Sequence, residues 1–425
     1  MLYVAPGKAR VAWQEAFLRQ SDNTNIWTGL AQDWKEQREM LAELRQVIEE
    51  NPVLDFRPNY TAGVMMLLPH LTPVKKVAQI LNAVMLLDLH AGQTEEAFKS
   101  MRASLLMVAH YDNEAVLISQ FVRYGCHAIN FNMLWEAWQS DAWNDSQWQE
   151  LQQILEATDI LRPAMMSLEM EQAFSANTFQ KIRNNPALLR SWAMGAGNTS
   201  VTSIVDQVKA ILDEPKEAMQ DFRLHYIWPY WASYHHELNN LKQWEYSLQA
   251  ILDTTKNENI QKSSINLRAW IEDCTDGRCC PDDPIESMFA NARASEGYLK
   301  KIAAAETLRR MAIVAIALKR YHHQHQSYPE KLEGLVPVFL KAVLKDIMDG
   351  QSLRYRLNTN GTFTLYSVGE DGIDQGGEPG TGYKSDTRPT LQRGKDWVWP
   401  QPATAAEVDQ YNESLDKSRF NRRRK

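Results

Sequence analysis

Acidic residues and glycines concentrate in one stretch, LYSVGEDGIDQGG, which runs from Leu365 to Gly377. The stretch begins with the alternation of a β-strand and ends in a polar loop. Carboxylate, hydroxyl and carbonyl oxygens are the ligands that calcium prefers, whereas aspartates in tight turns cap backbone N–H groups. Three alternatives therefore compete: the stretch holds a metal ion, closes a catalytic site, or only turns the chain.

Three of the four cysteines form a second cluster, CTDGRCCPDD, with Cys274, Cys279 and Cys280. A disulfide from Cys274 to Cys279 or Cys280 would close a tight polar loop and would need an oxidising compartment. Free thiols and a metal site are the alternatives, although no CxxC or HxxxH motif supplies the further ligands that zinc requires. Cys126 lies in the apolar, helical stretch ISQFVRYGCHAINF and is predicted to be a buried thiol.

The motifs of common enzymes are missing from the sequence. It contains no GxSxG, no HExxH, no Walker loop and no dinucleotide-binding GxGxxG. His235, His236 and Glu237 lack a second histidine four residues on, and the histidines of RYHHQHQ are predicted to form a solvated helix end. We therefore expect no catalytic residue and no enzyme, with a hydrolase that uses a cleft in the helical region as the alternative.

Tryptophans cluster in the helical region, residues 1–290, where they fill the core or line a carbohydrate- or peptide-binding groove. Indole rings more often pack between helices, with the N–H bonded to one acceptor. Burial is therefore the prediction for the clustered tryptophans, which are Trp135, Trp138, Trp143, Trp148, Trp228 and Trp231.

The composition narrows the classes of partner. The 425 residues carry a formal net charge of −7, which argues against a nucleic-acid binder. No apolar run reaches the length that a bilayer requires, so the chain as given is expected to be soluble. Membrane association is expected only through an anchor that this chain lacks.

The pattern of apolar residues divides the chain into three regions. Residues 1–290 place apolar residues at three- and four-residue intervals, which predicts an irregular α-helical array. Within it, AVMLLDLHAGQTEEAFKSMRASLL resembles a tetratricopeptide-type helical hairpin, with Ala83 and Ala97 at the close approach. Residues 291–400 read as a long helix, a short helix, a β-hairpin and the Gly/Asp loop, which is a small α+β module. Residues 401–425 are predicted to be a basic, disordered tail.

The order of elements in residues 295–400 resembles the globular part of the major pseudopilin of type II secretion systems. The resemblance rests on three segments, ALKRYHHQHQSYPEKLEGLV, DGQSLRYRL and LYSVGEDGIDQGG. It implies a long helix that carries a small antiparallel sheet, followed by a loop that binds calcium.

The resemblance also implies a set of calcium ligands in this chain. The carbonyl of Leu365, the hydroxyl of Ser367 and the carboxylate of Asp371 match the family's positions, and Asp374 and Asp396 would complete the site. The connection between Gly377 and Asp396 is longer than in the family. The alternative is a Gly/Asp turn that keeps the shape without an ion.

The departures from the family matter for function. The chain shows neither the basic leader nor the apolar membrane helix of a pseudopilin, so it is not expected to polymerise as a pseudopilus subunit. It looks instead like composite bacterial envelope proteins in which a large helical region precedes a pseudopilin-like module. We therefore expect a non-enzymatic envelope or secretion-related interaction protein with protein partners. It would lie in the periplasm, or be anchored in the inner membrane and face the periplasm.

Overall fold

The computed structural model describes residues 2–18, 24–185, 228, 230, 233–275, 292–379 and 395–422, and it confirms that the protein is mainly helical with small sheets. Helices of the first region follow the predicted apolar spacing. They are α1 (Ile26–Lys35), α2 (Arg38–Glu50), α3 (Leu71–His90), α4 (Thr94–His110), α5 (Leu117–Trp138), α6 (Asp145–Ala157), α7 (Leu161–Asn184), α8 (Ser233–Asn257), α9 (Ile260–Ser263) and α10 (Ile265–Thr275).

The stretch NIWTGLAQDWKEQREMLAELRQVIEE forms two helices, whereas its spacing predicts one. After the break, both helices contact α3, and α2 also contacts α4. On α1, Trp27 stacks on His90 of α3 at 4.3 Å between ring centroids. On α2, Arg38 donates to Asp88 of α3 at 2.6 Å, and Arg45 donates to Glu96 of α4.

Helices α3 and α4 form the predicted helix–turn–helix pair. Gly92 closes α3 with a φ of +73°, a conformation that glycine adopts without a steric cost. Thr94 is the first residue of α4, and Gln93 occupies the N-cap position. Ala97 is fully buried where the two helices meet.

The longest helix, α11 (Ala292–His325), runs through the middle of the protein. It packs against α5 and α6 on one side and against the sheet of the last region on the other. Its apolar run from Met311 to Leu318 is fully buried, because a helix that is apolar on all faces must be surrounded by other elements. Residues before 290 and after 300 therefore share one hydrophobic core. The predicted boundary at residue 290 lies outside the described residues.

Two small sheets complete the fold. Strands β3 (Arg354–Leu357), β4 (Phe363–Ser367) and β5 (Trp397–Val398) form an antiparallel sheet, in which the hairpin pairs Tyr355 with Leu365. The predicted hairpin is therefore confirmed. Strands β1 (Leu2–Ala5), β2 (Lys8–Arg10) and β6 (Gln401–Pro402) form the other sheet and join the two ends of the chain. Among the described residues, the 3-10 helices are Ala12–Gln14, Tyr60–Met65 and Leu332–Leu335.

Two predicted elements differ in the structure. The short helix expected to start at Pro329 is the 3-10 turn Leu332–Leu335. The region expected to be a disordered tail holds β6 and a helix, α12 (Ala405–Arg422). Thr404 and Glu407 explain the start of α12. The Thr404 N–H donates to the Glu407 carboxylate at 2.9 Å, and the Glu407 N–H donates back to the threonine hydroxyl, which is a capping box. Within the ranges that the structure describes, no helix combines the length and apolar content needed to cross a bilayer.

Candidate functional site

The stretch Leu365–Gly377, called the acidic loop below, leaves the sheet at the end of β4. Leu365 lies inside the sheet, and its carbonyl accepts the N–H of Trp399 at 2.8 Å. Ser367 pairs with Trp397 of β5. Gly369 turns the chain out of the strand with a φ of +66°, and a Cβ there would lie 2.9 Å from the Lys395 carbonyl oxygen. Only glycine fits this corner.

The inner end of the acidic loop is held by Asp346, a fully buried residue of the turn that precedes β3. Its carboxylate accepts the N–H of Val368 at 2.9 Å and that of Met348 at 3.1 Å. The hydroxyl of Ser367 also donates to it, and burial raises the pKa of Asp346. No local pattern in the turn KDIMDGQS indicates this role, because Ser367 and Val368, which donate to Asp346, lie more than 20 residues away.

The outer end is held by Asp396, which is also buried. Its carboxylate accepts the N–H of Gly377 at 2.7 Å and that of Gln375 at 3.1 Å. Burial raises the pKa of Asp396, and these hydrogen bonds oppose that rise. Asp396 is predicted to complete a calcium site, and that role stays a prediction. In the structure its oxygens meet backbone donors.

The tip of the loop carries the two remaining predicted ligands, Asp371 and Asp374, both exposed. Asp371 accepts the N–H of Ile373 at 3.0 Å and the side-chain amide of Gln375 at 2.8 Å. Asp374 accepts the N–H of Gly376 at 2.9 Å and the hydroxyl of Tyr366 at 3.1 Å. The backbone hydrogen bond from Gly376 lowers the pKa of Asp374.

These contacts bear on how well the loop would hold calcium. Each of the five predicted ligands accepts a hydrogen bond, and among the described residues no three His, Cys, Asp or Glu side chains form a group that could hold a metal ion. In this geometry the oxygens fit a loop closed by hydrogen bonds and do not form a calcium cage. The three aspartates would have to turn toward a common point to coordinate an ion. Calcium binding here stays a proposal, and these hydrogen bonds favour its alternative, a Gly/Asp turn that keeps the shape without an ion.

The remaining candidate residues are the cysteines and the histidines, and those that the structure describes are packed or hydrogen-bonded within the protein. Cys126 is buried, and burial raises its thiol pKa to about 11, so the predicted buried thiol is confirmed. Cys279 and Cys280 lie outside the described residues, as does the side chain of Cys274. His236 accepts the indole N–H of Trp228 at 2.9 Å. At the end of α11, His322 packs on the ring of Tyr328.

The tryptophans confirm the core prediction where the structure describes them. Trp138 is half-buried and donates its indole N–H to the carbonyl of Ala315 at 3.0 Å. Trp231 lies outside the described residues. The fully buried members of the two clusters are Trp135, Trp143, Trp148 and Trp228.

A shallow groove lies between α9, α10 and α11, next to the acidic loop. Ile260, Leu299 and Met348 are among its apolar lining residues, and Arg268 and Glu370 are among the charged ones. The side-chain amide of Gln261 donates to the Glu370 carbonyl at 2.9 Å and so ties the groove to the loop. The sequence analysis misses this groove because its residues come from four separate stretches.

Comparison of the chain with protein-family models, with curated proteins and with solved structures finds no match.

Proposed function

We propose that the chain is a non-enzymatic interaction protein of the bacterial envelope or of secretion, with a pseudopilin-like module from α11 to β5. The observation that carries the proposal is the order of the elements that follow α11 in the chain. A long helix is followed by a 3-10 turn, an antiparallel hairpin, a glycine-rich acidic loop and a closing strand. This is the order that the resemblance implies.

The packing of α11 supports the proposal that the module is a fixed part of this protein and not a subunit that polymerises. The apolar residues from Met311 to Leu318 are buried by α5, α6 and β4, whereas a pilin-type helix packs against other subunits. In this proposal the module is fixed to the helical array, and the tetratricopeptide-like hairpin of α3 and α4 adds surface for a protein partner. The proposed compartment is the periplasm or the periplasmic face of the inner membrane.

The chemistry of the acidic loop supports a non-enzymatic function. A catalytic acid or base must reach a substrate, and the buried carboxylates Asp346 and Asp396 instead accept backbone N–H groups. Ser367 is fully buried beside Asp346. These residues hold the chain in place.

The proposal is tested by measuring binding of the purified chain to purified pseudopilins and to periplasmic domains of the secretion machinery. We expect saturable binding to at least one of them, with a Kd of about 1 μM, which is typical of a transient interface. Arg356→Glu on the exposed hairpin should weaken this binding more than Lys99→Glu on α4, if the module makes the contact. No binding to any of these proteins would contradict the proposal.

A second candidate, a peptide- or carbohydrate-binding protein, is favoured by the groove beside Arg268. Its mixed apolar and charged lining is typical of small-molecule and peptide sites. Ligand libraries screened by thermal shift would test it, with Arg268→Glu as the variant that should abolish a specific shift. The same libraries contain esters, peptides and glycosides, so turnover of any of them would instead revive the hydrolase alternative.

A further inference from the structure

An unusual surface lies far from the acidic loop in sequence, in the segment Val53–Leu68, called the apolar loop below. It connects α2 to α3 and contains five consecutive apolar residues, VMMLL, from Val64 to Leu68. Leu67 is 85% exposed and Met65 is 66% exposed. Val64 is also exposed, whereas Met66 and Leu68 are half-buried. Several exposed apolar side chains on one short segment are uncommon on a protein surface and mark a contact site.

The exposure does not come from a loosely held segment. The N–H of Leu54 donates to the carbonyl of His110 at 2.9 Å, and Phe56 stacks on His70 at 4.4 Å between ring centroids. His70 lies 3.0 Å from the buried carboxylate of Glu114. The base of the loop is therefore ordered by buried partners. A surface that is already ordered loses less conformational entropy when it binds.

Charge around the apolar loop differs from charge in the rest of the chain. The loop itself carries one acid, Asp55, which pairs with Arg57 at 3.7 Å. The chain has a net charge of −7, yet residues 56–87 contain no Asp or Glu. Their basic residues are Arg57, Lys75 and Lys76, and both lysines are exposed. The lysines lie in the second turn of α3, about 6 Å along the axis from its first residue. Neither lysine has an ion-pair partner in the part of the chain that the structure describes.

We propose that the apolar loop docks on the surface of a bilayer that contains anionic lipid. The exposed side chains are aliphatic or thioether groups that project from the surface, which suits insertion between lipid headgroups. The neighbouring lysines would meet anionic headgroups, each adding to the attraction at low salt. This contact requires no transmembrane helix and is independent of the proposed protein partner.

The test is co-sedimentation of the full chain with vesicles of phosphatidylcholine, alone or with about 30% phosphatidylglycerol. We expect binding to the anionic vesicles that weakens at about 0.5 M salt, where screening is strong. Met65→Ser combined with Leu67→Ser should weaken binding about tenfold or more. Lys75→Gln combined with Lys76→Gln should weaken it several-fold, and only for the anionic vesicles.

Val338→Ser is the matched control, because Val338 is 70% exposed on another part of the protein, and it should bind like the wild type. Leu67→Trp provides a second measurement, since the indole fluorescence should shift to the blue when the residue enters the bilayer. Two results would overturn the proposal: a wild-type chain that binds neither kind of vesicle, or serine variants that bind as well as the control. The first result would instead favour a protein partner for the apolar loop.

Discussion

The acidic loop and the apolar loop reverse the roles that their residue types suggest. Ser367, Asp346 and Asp396 have the chemistry of a site, yet they are buried and accept or donate hydrogen bonds within the protein. Met65 and Leu67 have the chemistry of a core, yet they face solvent on an ordered loop. A residue's availability for function therefore depends on whether the fold already supplies it with a partner.

The physical reason lies in the cost of burial. A buried carboxylate without donors is strongly unfavourable, so the backbone N–H groups that meet Asp346 and Asp396 are needed for folding. An exposed aliphatic side chain costs folding little, because it stays in water in the folded and unfolded states alike. Such residues are free to contribute to binding instead. The predictions below test this contrast, from the largest expected effect to the smallest.

Asp346→Ala should have the largest effect. It leaves the N–H groups of Met348 and Val368 and the hydroxyl of Ser367 without their acceptor in a buried place. We expect a loss of about 3 kcal/mol in the free energy of unfolding, measured by urea denaturation. Asp371→Ala is the matched control on the exposed tip and should cost less than about 1 kcal/mol. Equal losses in the two variants would mean that burial does not distinguish the acids of this region.

Glu136 on α5 is a buried carboxyl group that accepts fewer hydrogen bonds than Asp346 does. Its carboxylate accepts the N–H of Ala12 at 3.0 Å, and its other oxygen has no hydrogen-bond partner among the described residues. Burial raises its pKa from 4.5 to about 7. Because the folded-state pKa lies above the unfolded value, the stabilisation is complete below about 4.5 and is lost as the pH rises through about 7.

Glu136→Gln should remove this pH dependence, since the amide stays neutral and its oxygen can still accept from Ala12. We expect the stability of the variant relative to the wild type to increase between pH 5 and pH 8, by at most about 3 kcal/mol. Urea denaturation across this range measures the difference. Parallel pH curves for the two proteins would show that Glu136 does not titrate in this window.

Calcium gives a sharper test of the acidic loop. Binding to the folded chain alone would raise its stability by about 2.7 kcal/mol at a calcium concentration 100 times the Kd. A loop closed by hydrogen bonds needs no ion, so we expect the same Tm in calcium and in chelator. A Tm that rises with calcium in the wild type and not in Asp371→Asn would instead favour the ion and would show that the loop rearranges to bind it.

The smallest effect on stability should come from the apolar loop. Met65→Ser and Leu67→Ser replace side chains that are already in water, so we expect changes within about 0.5 kcal/mol. Thermal denaturation checks this, with Leu353→Ser as the buried counterpart that should be strongly destabilised. A large loss in Leu67→Ser would mean that the loop packs against something in the free protein.

Periodicity in the sequence predicts much of the fold. The spacing of apolar residues predicts α3 and α4, and the Asn/Gly turn with alternating flanks predicts the β3–β4 hairpin, because both signals are local. The pairing of β2 with β6 depends on residues almost 400 positions apart, and no local pattern encodes it. The helix α12 is missed because a basic composition outweighs the capping pair of Thr404 and Glu407.

The candidate site is predicted only in part. Asp396 is recognised as a closing residue because it directly precedes an apolar run, whereas Asp346 is missed because its partners, Ser367 and Val368, lie more than 20 residues away. The VMMLL run of the apolar loop is apolar enough to be read as core. Its exposure follows from the path of the chain between α2 and α3, which the sequence does not specify.

Hydrogen–deuterium exchange of the full chain, with and without anionic vesicles, tests the contrast between the two loops most directly. We predict slow exchange at the N–H groups of Val368, Gln375 and Gly377 in both conditions. Asp346 accepts the first of these N–H groups, and Asp396 accepts the other two. We also predict that exchange in residues 53–68 slows only when vesicles are present. Fast exchange in the acidic loop, together with an apolar loop that vesicles leave unchanged, would contradict this account.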